Sequence, residues 1–327
     1  MNTLYRIVGY KYIIFYVQLL IINQRRVTYL NIINIDHLTK DYGDGKGVFD
    51  VSIKIKKGEV YGYLGPNGAG KSTTMRHLMG FSKPQIGTVS IYNMDCWKNQ
   101  RQIQKRLGYL PGEIAFPDDM TGIAYLKLIS KMRKMKDFSY AEELLKMFEL
   151  NPNAGIKRMS KGMKQKIGIV SAFMHDPDIL LLDEPTSGLD PLMQNRFIEL
   201  VEQEKNKGKT IILSSHIFEE VEKTCDRIGM IRNGKLIKEV TIDELRHSQL
   251  KTYKIEFQNI EDMKRIQKKY PFAKYKPSQL QMIISINDSD INHLISALAT
   301  CSIHFLKEEK HTLEEYFMQF YGGGKNV

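Results

Sequence analysis

Between an apolar run at 59–64 and a helical pattern at 71–80 stand Gly65-Pro66-Asn67-Gly68-Ala69-Gly70-Lys71-Ser72-Thr73. No other stretch constrains the fold as strongly. The spacing G-x-x-x-x-G-K-[ST], after a strand and opening a helix, is that of a phosphate-binding loop. Glycines let successive backbone N–H groups turn toward an anion, and the helix N-terminus adds positive potential. Lys71 is then placed to reach the β and γ phosphates of a nucleotide, and the Ser72 hydroxyl to bind Mg²⁺. The bland alternative is a glycine-rich turn that binds nothing; the strand-then-helix context speaks against it.

A second feature completes this chemistry. The continuous apolar run at 179–182 ends in Asp183-Glu184. Such a run suits a strand buried on both faces of a parallel sheet. Asp183 would hold the metal through its hydration shell, and Glu184 would orient and deprotonate an attacking water. Taken alone, two acids after a strand are also what surface charge looks like. Periodicity predicts further strands at 31–38, 48–55, 88–92, 108–110 and 210–213. It predicts helices across 121–150, 160–175, 193–205 and 218–224, and a hairpin at Asn233-Gly234. Near Thr241 the pattern changes to strands at 251–257, 282–286 and 302–307, with helices at 260–269, 291–298 and 312–320, which reads as a small α+β unit. Gly322-Gly323-Gly324 opens a frayed tail.

At 327 residues, one large domain plus a smaller one is expected. The net charge of +11 is compatible with nucleic acid, anionic lipid headgroups or no specific partner. Lysines are spread along the chain and no aromatic-and-basic RNA motif occurs, so no nucleic-acid partner is expected. Cys96, Cys225 and Cys301 are scattered, without metal or disulfide spacing, which fits a reducing compartment.

Residues 1–30 read differently: Arg6, Lys11, Arg25 and Arg26 occur with no acid. The apolar run at 10–22 is interrupted by Lys11 and Gln18, and a spanning helix needs about 20 apolar residues. The expectation is a translated leader, with the working protein starting at position 30. Leu30 can be encoded by TTG, a bacterial start codon, and Arg25-Arg26 by AGGAGG, a ribosome-binding sequence. A membrane-surface anchor is the rival reading.

Five ordered motifs resemble the ABC ATPases. GPNGAGKST is one form of that family's phosphate loop, and Asp183-Glu184 follows at the family's position. Met159-Ser160-Lys161-Gly162-Met163-Lys164-Gln165 resembles the signature sequence. Ser187-Gly188-Leu189-Asp190 resembles the D-loop, and His216, after the strand at 211–213, the switch histidine. Tyr42 is placed like the aromatic that stacks on adenine. The resemblance covers 31–239, and the tail ending Leu313-Glu314-Glu315-Tyr316-Phe317 is similar to the accessory domain of bacterial drug and antibiotic exporters whose permease is a separate chain.

The resemblance implies an α/β fold. A P-loop NTPase domain with a mixed sheet would occupy 31–240, with a helical subdomain at about 112–175 and an accessory α+β domain at 241–327. It implies ATP and Mg²⁺ as cofactors and hydrolysis of ATP coupled to transport. Two ATPase subunits would pair head to tail, each ATP lying between one phosphate loop and the partner's signature residues, here Ser160, Lys161, Gly162 and Met163. A separate permease would hold the assembly at the cytoplasmic face of the plasma membrane. The alternative function is a non-transport ABC ATPase acting on nucleic acid or the ribosome, supported by the charge alone.

Several assignments have plainer rivals. Tyr42 could be a surface turn residue, His216 a helix cap, and Ser160 and Asp190 simple N-caps. Two departures from the family pattern stand out. Lys161 replaces the usual glycine, a cation tolerable near a partner's phosphate. Gly112-Glu113 replaces the glutamine expected after Gly108-Tyr109-Leu110-Pro111; Glu113 is expected, with Phe116, in the coupling to a permease, and could meet Mg²⁺ through water or leave that metal contact unmade. The loop that follows, with Phe116, is expected to expose apolar residues to a permease helix, or else to pack back on the helical subdomain.

Overall fold

The computed structural model describes residues 31–117, 119–246 and 250–309, with Leu313 and Phe317 beyond them. The expectations for 1–30 and for the glycine tail lie outside the described residues, as does most of the helix expected at 312–320. In chain order the strands are β1 (Asn31–Asp41), β2 (Gly47–Lys56), β3 (Val60–Leu64), β4 (Ile86–Ile91), β5 (Met94–Asp95), β6 (Leu107–Leu110) and β7 (Ile179–Asp183). They continue as β8 (Thr210–Ser215), β9 (Arg227–Arg232), β10 (Lys235–Thr241), β11 (Leu250–Phe257), β12 (Lys274–Lys276), β13 (Gln281–Asn287) and β14 (Ile303–Glu309). The helices are α1 (Lys71–Leu78), α2 (Gln100–Gln104), α3 (Gly122–Met132), α4 (Ser139–Met147) and α5 (Lys161–Phe173). After them come α6 (Pro191–Asn206), α7 (Phe218–Thr224), α8 (Ile242–Arg246), α9 (Ile260–Lys269) and α10 (Ile291–Leu298). None of the described helices is long and apolar enough to cross a membrane.

An antiparallel sheet of order β2-β1-β4-β5 lies beside a sheet of order β10-β9-β3-β8-β7-β6. In β2 the period-two pattern is plain: Val51, Ile53 and Ile55 are buried while Ser52, Lys54 and Lys56 are exposed. The larger sheet is parallel from β9 to β6, with β10 antiparallel to β9, so it is mixed. β3, β7 and β8 are buried at every residue, because helices cover one face and α1 together with β1 and β2 covers the other. Because β3, β8 and β7 are adjacent and parallel, their C-terminal ends emerge at one edge. That edge is where ligands bind in open α/β sheets.

The helical stretch expected over 121–150 divides into α3 and α4. Lys134 turns left-handed at φ 56° after α3, and Asp137 accepts from the Ser139 N–H at 2.9 Å at the start of α4. Two further elements escape the sequence pattern. β4 and β5 are joined by Tyr92-Asn93, both at positive φ as a tight hairpin requires, and α2 is a single short helix. β11 to β14 form a separate antiparallel sheet, of order β12-β13-β11-β14. Ile255, Phe257, Met282 and Ile284 share its core with Met263 and Ile266 of α9 and Leu294 and Leu298 of α10. Leu313 and Phe317 join the core of the large unit instead, and Phe317 packs edge-on to Phe218 with ring centroids 4.9 Å apart.

Candidate functional site

The sheet edge brings three distant segments together. β3 runs into the loop at 65–70, β7 delivers Asp183 and Glu184, and β8 delivers Ser215 and His216. Leu64 pairs with Ser215, and Asp183 with Ser214, so the three exits lie side by side.

Local chemistry shapes the loop. Gly70 precedes α1 at φ 108°, a region open to glycine, and a side chain there would meet Val48 Cγ1 at 2.8 Å and the Gly47 carbonyl at 2.9 Å. Lys71 is 5% exposed; its ammonium donates to the carbonyls of Gly65 at 2.6 Å and Pro66 at 3.2 Å. The same ammonium lies 3.1 Å from Glu184 Oε1. A cavity of about 300 Å³ is lined by Tyr42, Lys46 and Gly47, by Pro66, Asn67, Gly68, Ala69, Gly70, Lys71, Ser72 and Thr73, and by Glu184. Tyr42 is 54% exposed, with Lys40 Nζ 5.6 Å from its ring centroid.

A second cavity, of about 690 Å³, shares Asn67, Ser72 and Glu184 with the first and adds Asp183, Glu113, Lys161, Ser187 and His216. Asp183 is buried and accepts a short hydrogen bond from Ser214 Oγ. Gly112 lies against that carboxylate, where an added Cβ would stand 3.3 Å from Asp183 Oδ2. The residue in the glutamine position thus comes close through its backbone, while Glu113 is exposed at the cavity wall. Glu184 is left-handed at φ 50°, and its other oxygen, Oε2, lies 2.5 Å from His216 Nδ1. A carboxylate held between an ammonium and an imidazole can accept a proton from water in the same cavity.

Ser160 caps α5 by accepting from the Met163 N–H at 3.2 Å, and Asp190 caps α6 by accepting from the Met193 N–H at 3.0 Å. Capping leaves each residue's exposure intact: both are exposed. Gly162 approaches Gly188 so closely that a Cβ would stand 2.6 Å from the Gly188 carbonyl oxygen. The Lys161 stem crosses Gly188 in turn, its Cγ 3.0 Å from where a Cβ would be. Phe116 differs from the expectation of an exposed docking residue. It is half-buried and stacks edge-on with Tyr125, centroids 4.9 Å apart, because an isolated ring gains more by packing than by facing water. Among the large exposed apolar side chains are Phe81, at 55%, and Met132, at 71%, together with Leu128. Arg133 donates to the Gln104 carbonyl and Gln104 to the Met79 carbonyl, so the end of α3 is tied to the segment carrying Phe81.

Sequence reasoning assigned no supporting role to three residues that the structure places around the site. Gln165, buried in α5, donates to the Glu184 carbonyl at 3.2 Å and the Pro185 carbonyl at 2.7 Å. Ser214 orients Asp183, and Glu220 of α7 accepts from Ser215 Oγ at 2.6 Å. The available signal was weak: each is a polar residue at a position the local period buries.

Comparison with known proteins follows the same lines. The profile described as "ABC transporter" matches residues 48–187. The bacitracin transport ATP-binding protein BcrA of Bacillus licheniformis is 34% identical over 302 residues, 90% of this chain and 98% of the relative. The chain belongs to the ABC transporter ATP-binding proteins. It is therefore an ATP-binding, ATP-hydrolysing subunit of an ABC transporter. A solved ATP-binding subunit of an ABC transporter is 31% identical at a TM-score of 0.60, covering 66% of this chain and 92% of that one. A dimeric bacterial ABC transporter cassette is 25% identical at a TM-score of 0.59, covering 64% and 98%. Both coverages approximate the span of the two large sheets of this ABC protein.

Proposed function

We propose that this chain is one of two ATPase subunits that close head to tail over ATP and drive a separate permease of the drug- and antibiotic-export class. The observation that carries the reading is a division within the chain. Phosphate loop, Asp183-Glu184 and His216 meet at one sheet edge, whereas Ser160, at the exposed start of α5, lines neither cavity. The Ser160 side chain at that helix end is thus open to a nucleotide held by another chain, while Lys161 beside it lines this chain's own second cavity. The dimeric cassette and the bacitracin transport relative support pairing and export respectively.

In this reading Tyr42 stacks on adenine and the loop N–H groups hold the phosphates. Lys71 exchanges Glu184 for the β and γ phosphates. Glu184, released, takes a proton from the attacking water, and His216 holds it and the γ-phosphate in place. The oxygen donors Ser72, Asp183 and Glu113 on one cavity fit Mg²⁺, which keeps waters and shares phosphate oxygens rather than filling a protein cage. Mg²⁺ would neutralise developing phosphate charge there. Asp190 and Ser187 line the contact to the partner. ATP favours the closed pair because only that state offers both half-sites. Motion would pass to the permease near Phe81 and Met132, with the half-buried Phe116 as support, at the cytoplasmic face of the plasma membrane.

Light scattering of the Glu184→Gln variant tests the pairing. With ATP and Mg²⁺ the mass should double, with ADP it should not, and Ser160→Arg should abolish the doubling. A monomer under ATP overturns the head-to-tail reading.

A further inference from the structure

Glu220 is an acid buried to 4% exposure on α7, four residues beyond His216. Its Oε2 accepts from Ser215 Oγ at 2.6 Å, and Ser215 Oγ itself accepts from the Ile217 N–H at 2.9 Å. A hydroxyl has one proton; committing it to Glu220 turns the lone pairs toward Ile217. The two residues that flank His216 are thereby tied to each other. The second oxygen, Oε1, is buried with no hydrogen-bond partner among the described residues; the Thr186 hydroxyl, two residues beyond Glu184, acts on this carboxyl to favour its charged form. Glu184 stands in a left-handed conformation that a non-glycine residue keeps only when its surroundings impose it. Gln165 holds its carbonyl from the α5 side.

We infer that Glu220 is a positioning residue of the hydrolysis site: through Ser215 it clasps the segment bearing His216 onto α7 and so sets how closely His216 meets Glu184. The inference rests on the roles proposed above for Glu184 and His216. A carboxyl this buried is costly, and an apolar side chain would fill the place more cheaply unless the contacts serve a purpose. Burial pushes its pKa up to about 7; the hydroxyls of Ser215 and Thr186 act against this, and the Glu184 charge adds to it. The Cys225 thiol, which feels the Glu220 charge, is itself pushed up by burial to about 12.

The full chain is assayed for ATPase kcat and KM between pH 6 and 8, with affinity for a fluorescent ATP analogue measured separately. Misplacing a catalytic pair by about 1 Å costs about 100-fold, so Glu220→Ala should lower kcat by roughly 10- to 100-fold while nucleotide affinity stays within about threefold. Glu220→Gln should restore kcat to within about threefold, because its amide oxygen can accept from Ser215 as the carboxylate does. Parental kcat in Glu220→Ala overturns the inference, as does equal loss in Glu220→Ala and Glu220→Gln. Should Glu220→Ala not fold, Ser215→Ala takes its place: a lowered kcat supports the clasp, and a parental kcat refutes it. Glu184→Gln is run alongside. If it turns over like the parent, the base assignment fails and the inference with it; if it is inactive while Glu220→Ala is normal, only the clasp fails.

Discussion

Glu184→Gln should separate hydrolysis from binding. The substitution keeps shape and removes one negative charge. A positioned general base contributes about 10²- to 10⁴-fold, or about 3–5 kcal/mol of barrier, and that is the expected fall in kcat. Nucleotide affinity should move the other way. Lys71 and Glu184, 5% and 18% exposed, pair at 3.1 Å, and ATP must break this pair to use the ammonium. A poorly solvated charged contact of this kind contributes about 1–2 kcal/mol, so its loss should tighten ATP binding by about 5- to 30-fold. The amide that replaces the carboxylate can still hydrogen-bond His216, so the site should not collapse. Phosphate release at saturating ATP and Mg²⁺ gives kcat, and titration with a fluorescent analogue gives affinity. Parental turnover, or weakened ATP binding, refutes the reasoning.

Stability should report the buried acid independently. Glu220's folded pKa, about 7, lies above its ordinary 4.5, so the folded state binds more protons between those values and stability falls as pH rises through that window. Glu220→Gln should therefore be more stable than the parent at pH 8 by about 2–4 kcal/mol, and much less so at pH 4.5, in urea melts; an equal difference at both pH values contradicts the assignment. His175, lowered by burial to about 4, works in the opposite sense: its contribution is lost as pH falls from about 6.5 toward 4, and His175→Gln should flatten that limb of the stability curve. Met132→Asp should leave basal ATPase and melting unchanged, since the side chain is 71% exposed, yet abolish stimulation by permease-containing membranes. Phe116→Ala should instead cost about 1–2 kcal/mol through the lost Tyr125 contact. Gly188→Ala, at φ 79° against the Lys161 stem, should cost about 1–3 kcal/mol, and a double-mutant cycle with Lys161→Ala should recover part of it; additive losses would show that the two do not touch.

What was legible in the sequence was chemistry carried by contiguous residues. The phosphate loop needs its glycines and its lysine in one short run, and a strand buried on both faces needs an unbroken apolar run such as 179–182, so both signals are local. The helix caps Ser160 and Asp190 are local for the same reason. Other features were decided only when the chain closed on itself. The order β3-β8-β7 brings Glu184 to His216 across 32 residues of sequence, and no local pattern encodes that pairing. Gln165, Ser214 and Glu220 act through partners brought in by packing, and each by itself is one polar residue in a buried position. Phe116 reads as exposed in the sequence because a loop carries no record of its neighbours; Tyr125 supplies the neighbour in the fold. Local propensity sets elements and caps. Long-range burial and hydrogen bonding decide which side chains meet, because those energies exist only between segments the fold has already assembled.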